Sequence, residues 1–364
     1  MTEAPSQAFD AIRTAIESAG PITFAEFMEL ALYGPGGFYR TPPVGAGGDF
    51  VTSPHVHPVF CELVTEALRE LVGDHLGRPT LRLAEVGAGD GTLARCVLAG
   101  AGELPIAYTA VERSPGARTA LSAIEGIEVR TELPSAVDVV LANELLDNLP
   151  FRILRGKREV RIGLDGEHLV EVLAPAESEL LASPDTDRDR IAPVGALAFI
   201  DTLHRTIERG YALLIDYGGL GSTGGPVHGY RGHGLVEDVL ANPGRTDITA
   251  GVDFELIASY AGSLGLTPFP SVTQRDALLA LGLDRWLRGQ LDRQHRSMDA
   301  GEGTEAVRTW SGRSRASLLI DPGGLGRLRW MLLATPGLAA PPWLDRASAG
   351  AAPSIATERR SVAR

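Results

Sequence analysis

Cysteine is nearly absent from this chain of 364 residues: Cys61 and Cys96 are its only two. At most one pairing excludes a disulfide scaffold, so a reducing compartment and two buried thiols are expected. No segment approaches the roughly 18 consecutive apolar residues of a membrane span. The N-terminus carries Glu3, Asp10 and Glu17 and no apolar run of signal length, which reads as neither a secretory signal nor an arginine-rich transit peptide. Together these absences predict a soluble, cytoplasmic protein without membrane insertion. Positive charge is also in deficit, with 34 Lys and Arg against 46 Asp and Glu, a formal net charge of −12. That balance argues against nucleic acid as a partner and suits a basic protein or peptide. Metal ligands with closing spacing are missing too. His55, His57 and Cys61 give His-x-His with one distant Cys, without the paired spacing of a zinc site.

What is present is organised around residues 81–92, Leu-Arg-Leu-Ala-Glu-Val-Gly-Ala-Gly-Asp-Gly-Thr. A short apolar strand runs into a glycine turn, and residues 92–98 continue as a helix. Glycines at 87, 89 and 91 permit positive φ and close approach of a ligand to the backbone. The free amides and dipole of the following helix make such a turn a nucleotide cradle. A second apolar run, 106–111, ends in Glu112, an acid about 20 residues past the glycines and placed to accept the ribose hydroxyls of a nucleoside. A dinucleotide fingerprint requires G-x-G-x-x-G, whereas position 92 is Thr and the third glycine comes one residue early. G-x-G-x-G with Glu85 two residues ahead resembles the first motif of Rossmann-like methyltransferases that use S-adenosylmethionine.

Around that anchor the chain alternates strands and helices, which predicts a doubly wound, mostly parallel α/β sheet. Its length suits one large α/β domain with additions, or two domains. Residues 7–19 read as a helix, and Thr23 with Glu26 forms a capping box that opens another through Leu32. After a break at 33–39 comes a loop and helix start with Ser53 as N-cap and Pro54 in the first turn. Residues 60–71 show helical spacing. A helix at 116–124, a strand at 127–129 and the apolar strand 137–142 follow. Residues 152–192 alternate weakly and read as a hairpin addition with a mobile loop near 185–190. A helix at 194–207 leads to the strand 211–216, then to a glycine-rich passage holding His228, Tyr230 and His233. Residues 243–254 read as a polar turn before a helix capped near Asp253. From there through Leu333 the chain reads as helical, and beyond about 345 as a disordered tail.

The apolar strand 137–142 runs straight into Asn143, Glu144 and Asp147. Ligands in open α/β sheets sit beyond the carboxyl ends of the strands, so chemistry is expected at this cluster.

Taken together these segments resemble the MidA family of Rossmann-like methyltransferases, whose mitochondrial members assist assembly of respiratory complex I by methylating an arginine on one of its subunits. The resemblance covers roughly 20–340. It is carried by 22–28, by 48–54 with Phe60 and Glu62, by the glycine turn and by 111–115. It continues through 142–144 with Asp147, Leu149 and Pro150, then 216–218, 247–250 and 252–254. The family usually carries Glu, Gln and Gly where this chain has His55, Pro58 and Cys61, two aromatics where it has Leu145 and Leu146, and His where Gly251 stands.

The resemblance implies a class I methyltransferase fold with three parts around it: an N-terminal helical extension and cofactor-covering loop over 1–75, a hairpin insertion in a core domain over 76–290, and a C-terminal helical segment over 291–344. It implies S-adenosyl-L-methionine as cofactor, held by Glu85, Gly87, Gly89, Gly91, Glu112 and Asn143 and covered by a loop with Asp49, Thr52 and Ser53. It implies a protein arginine as methyl acceptor, on a respiratory-complex subunit. A guanidinium stays charged in water and needs carboxylates to fix its plane by paired hydrogen bonds. Glu144 and Asp147, with Asn143 beside them, are the catalytic candidates, and Glu62 and Asp216 follow. Two other readings stay open: an assembly factor that binds S-adenosylmethionine without turnover, and a nicotinamide-dependent oxidoreductase.

Overall fold

Leu81–Val86 (β1), Ile106–Val111 (β2), Ile127–Arg130 (β3), Val139–Asn143 (β4) and Tyr211–Asp216 (β5) are parallel neighbours in the order β5-β4-β1-β2-β3 in the computed structural model of the chain. The structure describes residues 6–40, 52–73, 76–77, 79–177, 189–221, 226–232 and 234–350. A sixth strand, Arg329–Ala334 (β6), pairs antiparallel with β5 along its whole length. Thr267–Pro268 and Val272–Thr273 close that edge.

Successive side chains on a strand point to opposite faces, and the two faces here bury different sets. Leu81, Leu83, Leu141, Leu213 and Trp330 share one core with the helices Val59–Gly73, Thr92–Gly100, Gln274–Ala280 and Pro342–Gly350. Ala84, Val140, Ala142, Leu214 and Met331 pack on the other side against Val194–Thr206 and Phe254–Ser263. Both faces are covered, which is why β4 and β5 are nearly continuous apolar runs. The expected doubly wound sheet is present.

The stretch expected to be helical through Leu333 instead supplies β6. A six-residue apolar run cannot be assigned to strand or helix by periodicity alone. Pairing to β5 decides it, with Trp330 fully buried against Phe60 and Trp343. The main sheet therefore reaches past residue 290, into the segment expected to be a separate helical addition. Two long helices, Leu283–Asp299 and Gly303–Ser317, do lie there and pack on each other. Residues 345–350, expected in a disordered tail, belong instead to the helix Pro342–Gly350, in which Trp343, Leu344 and Ala347 are buried; residues 351–364 lie outside the described part.

The N-terminal extension and the hairpin insertion form one body. Ile22 and Thr23 pair with Ile162 and Arg161 of the strand Arg158–Asp165, which also pairs with Arg152–Arg155 and His168–Pro175. Phe24, Phe27, Phe151 and Ile153 fill the shared core. Of the loop expected near 185–190, residues 185–188 lie outside the described residues, and Arg190 opens the strand Arg190–Ala192. Thr23 and Glu26 make the expected capping box, with Glu26 N–H donating to Thr23 Oγ1 at 3.1 Å and Thr23 N–H to Glu26 Oε2 at 2.8 Å. The helix does not run regularly to Leu32: it closes after Met28 and widens into a π-helical turn, Glu29–Tyr33. The polar turn expected after 243 contains a strand, Asp247–Thr249, paired with His228–Arg231.

Candidate active site

Beyond the carboxyl ends of β1, β2, β4 and β5 the chain encloses a cavity of about 950 Å³. Its floor is the glycine turn. Gly87, Gly89 and Gly91 all have positive φ, but two of them are glycine for different reasons. A Cβ at 89 would meet no atom within 4 Å and would project into open space, so the turn leaves room for a ligand there. A Cβ at 91 would collide with Ile124 and Leu121, so that glycine serves packing. The Gly89 N–H donates to Glu112 Oε2 at 2.9 Å, and the Ser114 N–H to Glu112 Oε1 at 2.8 Å. Glu112 is thereby fixed at the tip of β2, lining the cavity beside the turn as its sequence position requires. Glu85 also reaches the cavity and accepts from Tyr108 Oη at 2.6 Å; burial pushes its carboxyl up to about 8.

Asn143 ends β4, and Glu144 and Asp147 follow it along the cavity wall. Glu144 has φ of 54°, a left-handed conformation uncommon for a residue with a side chain. Its N–H donates to Ile215 O at 2.7 Å, which ends the β4–β5 ladder and turns the side chain into the cavity. Its Oε1 accepts from the Ser53 N–H at 3.0 Å and the Asn143 side-chain amide at 3.3 Å. Burial outweighs these bonds and pushes the carboxyl up to about 7. Asp147 is raised well above the carboxylate range by burial and then by the charges of Asp216, Asp247 and Glu144. Asp147 Oδ1 and Asn143 Oδ1 are buried without a hydrogen-bond partner. Unpaired buried acceptors beside crowded carboxylates are what a cationic, hydrogen-bonding group would satisfy.

The helix Ser53–Val56 leans over the glycine turn. Ser53 is not its N-cap as expected: Thr52 is, and Thr52 Oγ1 lies 2.8 Å from His55 Nδ1 instead of capping. Ser53 is fully buried and presents its backbone N–H, not its hydroxyl, to Glu144. Thr52 lines the cavity; Asp49 lies outside the described residues.

Two secondary candidates are not where guanidinium chemistry would need them. Asp216 is wholly buried, and its Oδ2 accepts from the N–H groups of Leu145 at 3.0 Å, Leu146 at 2.6 Å and Asp147 at 3.4 Å. Its Oδ1 takes the Tyr217 N–H at 2.7 Å. It holds the turn that carries Asp147, and its acceptor capacity is spent on backbone. Glu62 points to solvent from the helix Val59–Gly73 and does not line the cavity.

Other cavity residues escape a reading by motif. Tyr33 and Tyr39 stack with ring centroids 5.4 Å apart, and Tyr39 Oη donates to Asp247 Oδ1 at 2.7 Å. Asn148 donates to the same oxygen at 3.0 Å. In the sequence Tyr33 and Tyr39 bracket a glycine-proline break, and the aromatic at each end was the available signal. His55 and Asp90, 3.0 Å apart, bridge the helix Ser53–Val56 to the glycine turn.

A model of the S-adenosyl-L-methionine-dependent methyltransferase family matches residues 72–272. The chain belongs to that family. Relatives named protein arginine methyltransferase NDUFAF7, mitochondrial, include one from Xenopus tropicalis, 32% identical over 330 residues and covering 76% of both chains. Another, from Danio rerio, is 29% identical and covers 74% of this chain and 75% of its own. A Burkholderia thailandensis protein crystallised with S-adenosyl-homocysteine superposes with a TM-score of 0.80 at 26% identity, over 93% of this chain and 94% of that one. The protein is thus a methyltransferase with S-adenosylmethionine as its cofactor, and the nicotinamide and turnover-free readings fall. The expected cytoplasmic location does not stand either, because the curated relatives are named mitochondrial. No helix among the described residues is long and apolar enough to cross a membrane.

Proposed function

We propose that this methyltransferase modifies an arginine side chain of a protein, and that Glu144 and Asp147 hold the guanidinium. The observation that carries the reading is the pair of half-buried carboxyls that face one cavity beyond the end of β4, one of them with a buried oxygen that has no partner. The relatives' names support the acceptor class. By family resemblance the acceptor protein is a respiratory-complex subunit.

Bound S-adenosylmethionine supplies an electrophilic methyl on its sulfonium. The open space at Gly89, with Gly87 beside it, would receive it, Glu112 would accept hydrogen bonds from its ribose hydroxyls, and Glu85, Asn143 and Thr52 would complete the surround, while Gly91 and the buried Ser53 support the wall from behind. Asp49 belongs to the covering loop by resemblance alone. An entering guanidinium draws Glu144 and Asp147 to the ionised form, because an opposite charge at hydrogen-bond distance favours carboxylate. Paired hydrogen bonds then fix the guanidinium plane, and alignment within about 3 Å contributes more than a strong base would. As nitrogen gains the methyl it sheds a proton, which Glu144 is placed to accept.

The test is incubation with labelled S-adenosylmethionine and extract proteins, followed by acid hydrolysis. Labelled methylarginine that Glu144→Gln and Asp147→Asn abolish supports the reading; label on lysine or on a small molecule removes it.

A further inference from the structure

Gln274 opens the helix Gln274–Ala280 and is fully buried, although it is polar and lines no part of the cavity. Its backbone N–H donates to Leu328 O at 2.7 Å. The side-chain orientation follows from its neighbours. Trp330 Nε1–H can only donate and lies 3.3 Å from Oε1, while Leu319 O can only accept and lies 3.0 Å from Nε2. Held this way, both amide atoms face the Ser53 hydroxyl, each 3.3 Å from Oγ. Ser53 is itself fully buried, and the other end of that residue, its N–H, is the donor to Glu144.

We propose that Gln274 is a positioning residue for methyl transfer: through the Ser53 hydroxyl it fixes the first turn of the helix Ser53–Val56 so that the Ser53 amide stays aimed at the Glu144 carboxylate. The inference rests on the reading that Glu144 acts on the acceptor.

Three features favour this over packing alone. Burying a primary amide is unfavourable unless its partners are in place, and an apolar residue would fill the same space without that cost. The chain Trp330, Gln274, Ser53, Glu144 joins strand β6, two strands along the sheet from β4, to the carboxyl that β4 presents, and its Ser53–Gln274 link spans 221 residues of sequence. Glu144 also stands at a left-handed backbone position, so its side chain depends on outside donors for direction. Those donors are the Ser53 N–H and the Asn143 amide; His55 also favours its charge, while Asp216 opposes it. Asp147 and Tyr217 are further ionisable groups facing it among the described residues. Loss of the Ser53 donor leaves burial and Asp216 less opposed.

The experiment is a carboxyl ¹³C titration of the full chain, labelled at glutamate and saturated with S-adenosylhomocysteine, with the Glu144 signal assigned through Glu144→Gln. Gln274→Met should raise the Glu144 midpoint by about half a pH unit or more. Ser53→Ala keeps the amide and removes only the hydroxyl; it should move the midpoint the same way and reads the link even if Gln274→Met folds poorly. A midpoint unchanged in a folded variant overturns the proposal and makes Gln274 a packing residue. Transfer retained by Glu144→Gln overturns it from the other side, since it removes the Glu144 reading beneath while leaving any midpoint shift as a measured fact.

Discussion

His55 Nε2 lies 3.0 Å from Asp90 Oδ2, so one imidazole ties the helix that leans over the cavity to the turn that forms its floor. Asp90 is held down to about 2: burial works against its charge, but the His55 contact and the Thr92 donors prevail. The tie should slow cofactor escape. His55→Ala is expected to weaken S-adenosylhomocysteine binding by roughly three- to tenfold, the effect of losing about 1 kcal/mol. Stopped-flow measurement should place the change in the off-rate; an unchanged off-rate would separate the tie from retention.

The role proposed for Glu144 divides binding from chemistry. The only described hydrogen-bond partners of Glu144 are the Ser53 amide and the Asn143 side chain, and it makes no described hydrogen bond to the glycine turn or to Glu112. Glu144→Gln should leave the cofactor Kd within about twofold and lower kcat by roughly a hundredfold or more, the scale of losing a transition-state contact of about 3 kcal/mol. Parallel calorimetry and turnover assays test this, and equal loss of both would contradict it.

The crowded carboxyls also predict how stability follows pH. Asp216, Glu144 and Glu85 are raised to about 6, about 7 and about 8, and Asp147 is raised as well. Each therefore binds its proton more tightly folded than unfolded, so the ligand-free protein loses stability as pH rises from the unfolded carboxyl value, about 4, through these folded values. Thermal scans should show Tm falling between pH 5 and 8. Glu144→Gln should flatten the fall and gain roughly 1–3 kcal/mol at pH 8. A Tm that rises over that range would contradict the burial of these groups.

Asp216 should behave in the opposite sense on deletion, because it collects four backbone N–H groups. Asp216→Ala leaves those donors buried and should cost roughly 2–4 kcal/mol, read as a lowered denaturation midpoint. Little change would mean the turn carrying Asp147 is held by other contacts.

Much of this architecture is written locally. The strand–glycine–helix run at 81–92, the acid ending β2, the Thr23 capping box and the Asp253 cap all depend on neighbours within a few residues, so pattern and spacing suffice to place them. The polar cluster after β4 was legible for the same reason, since an apolar strand that stops at Asn143 and Glu144 must release them at the sheet's carboxyl edge. What sequence did not reveal depends on distant partners. β6 is a strand because β5 offers a free edge, and Asp216 is an anchor because the turn at 145–147 folds back over it. The aromatic pair Tyr33 and Tyr39 joins Asp247 only once the N-terminal extension packs beside the main sheet. Gln274 likewise has no local mark; its role rests on Ser53, 221 residues away.

The most direct measurement is the identity of the methylated residue. The chain, incubated with radiolabelled S-adenosylmethionine and extract proteins, should place label on methylarginine after acid hydrolysis. Asp147→Asn should bind the cofactor normally in parallel calorimetry and place none. Label recovered on another residue, or undiminished labelling by Asp147→Asn, would contradict the assignment of the acidic cavity to a guanidinium.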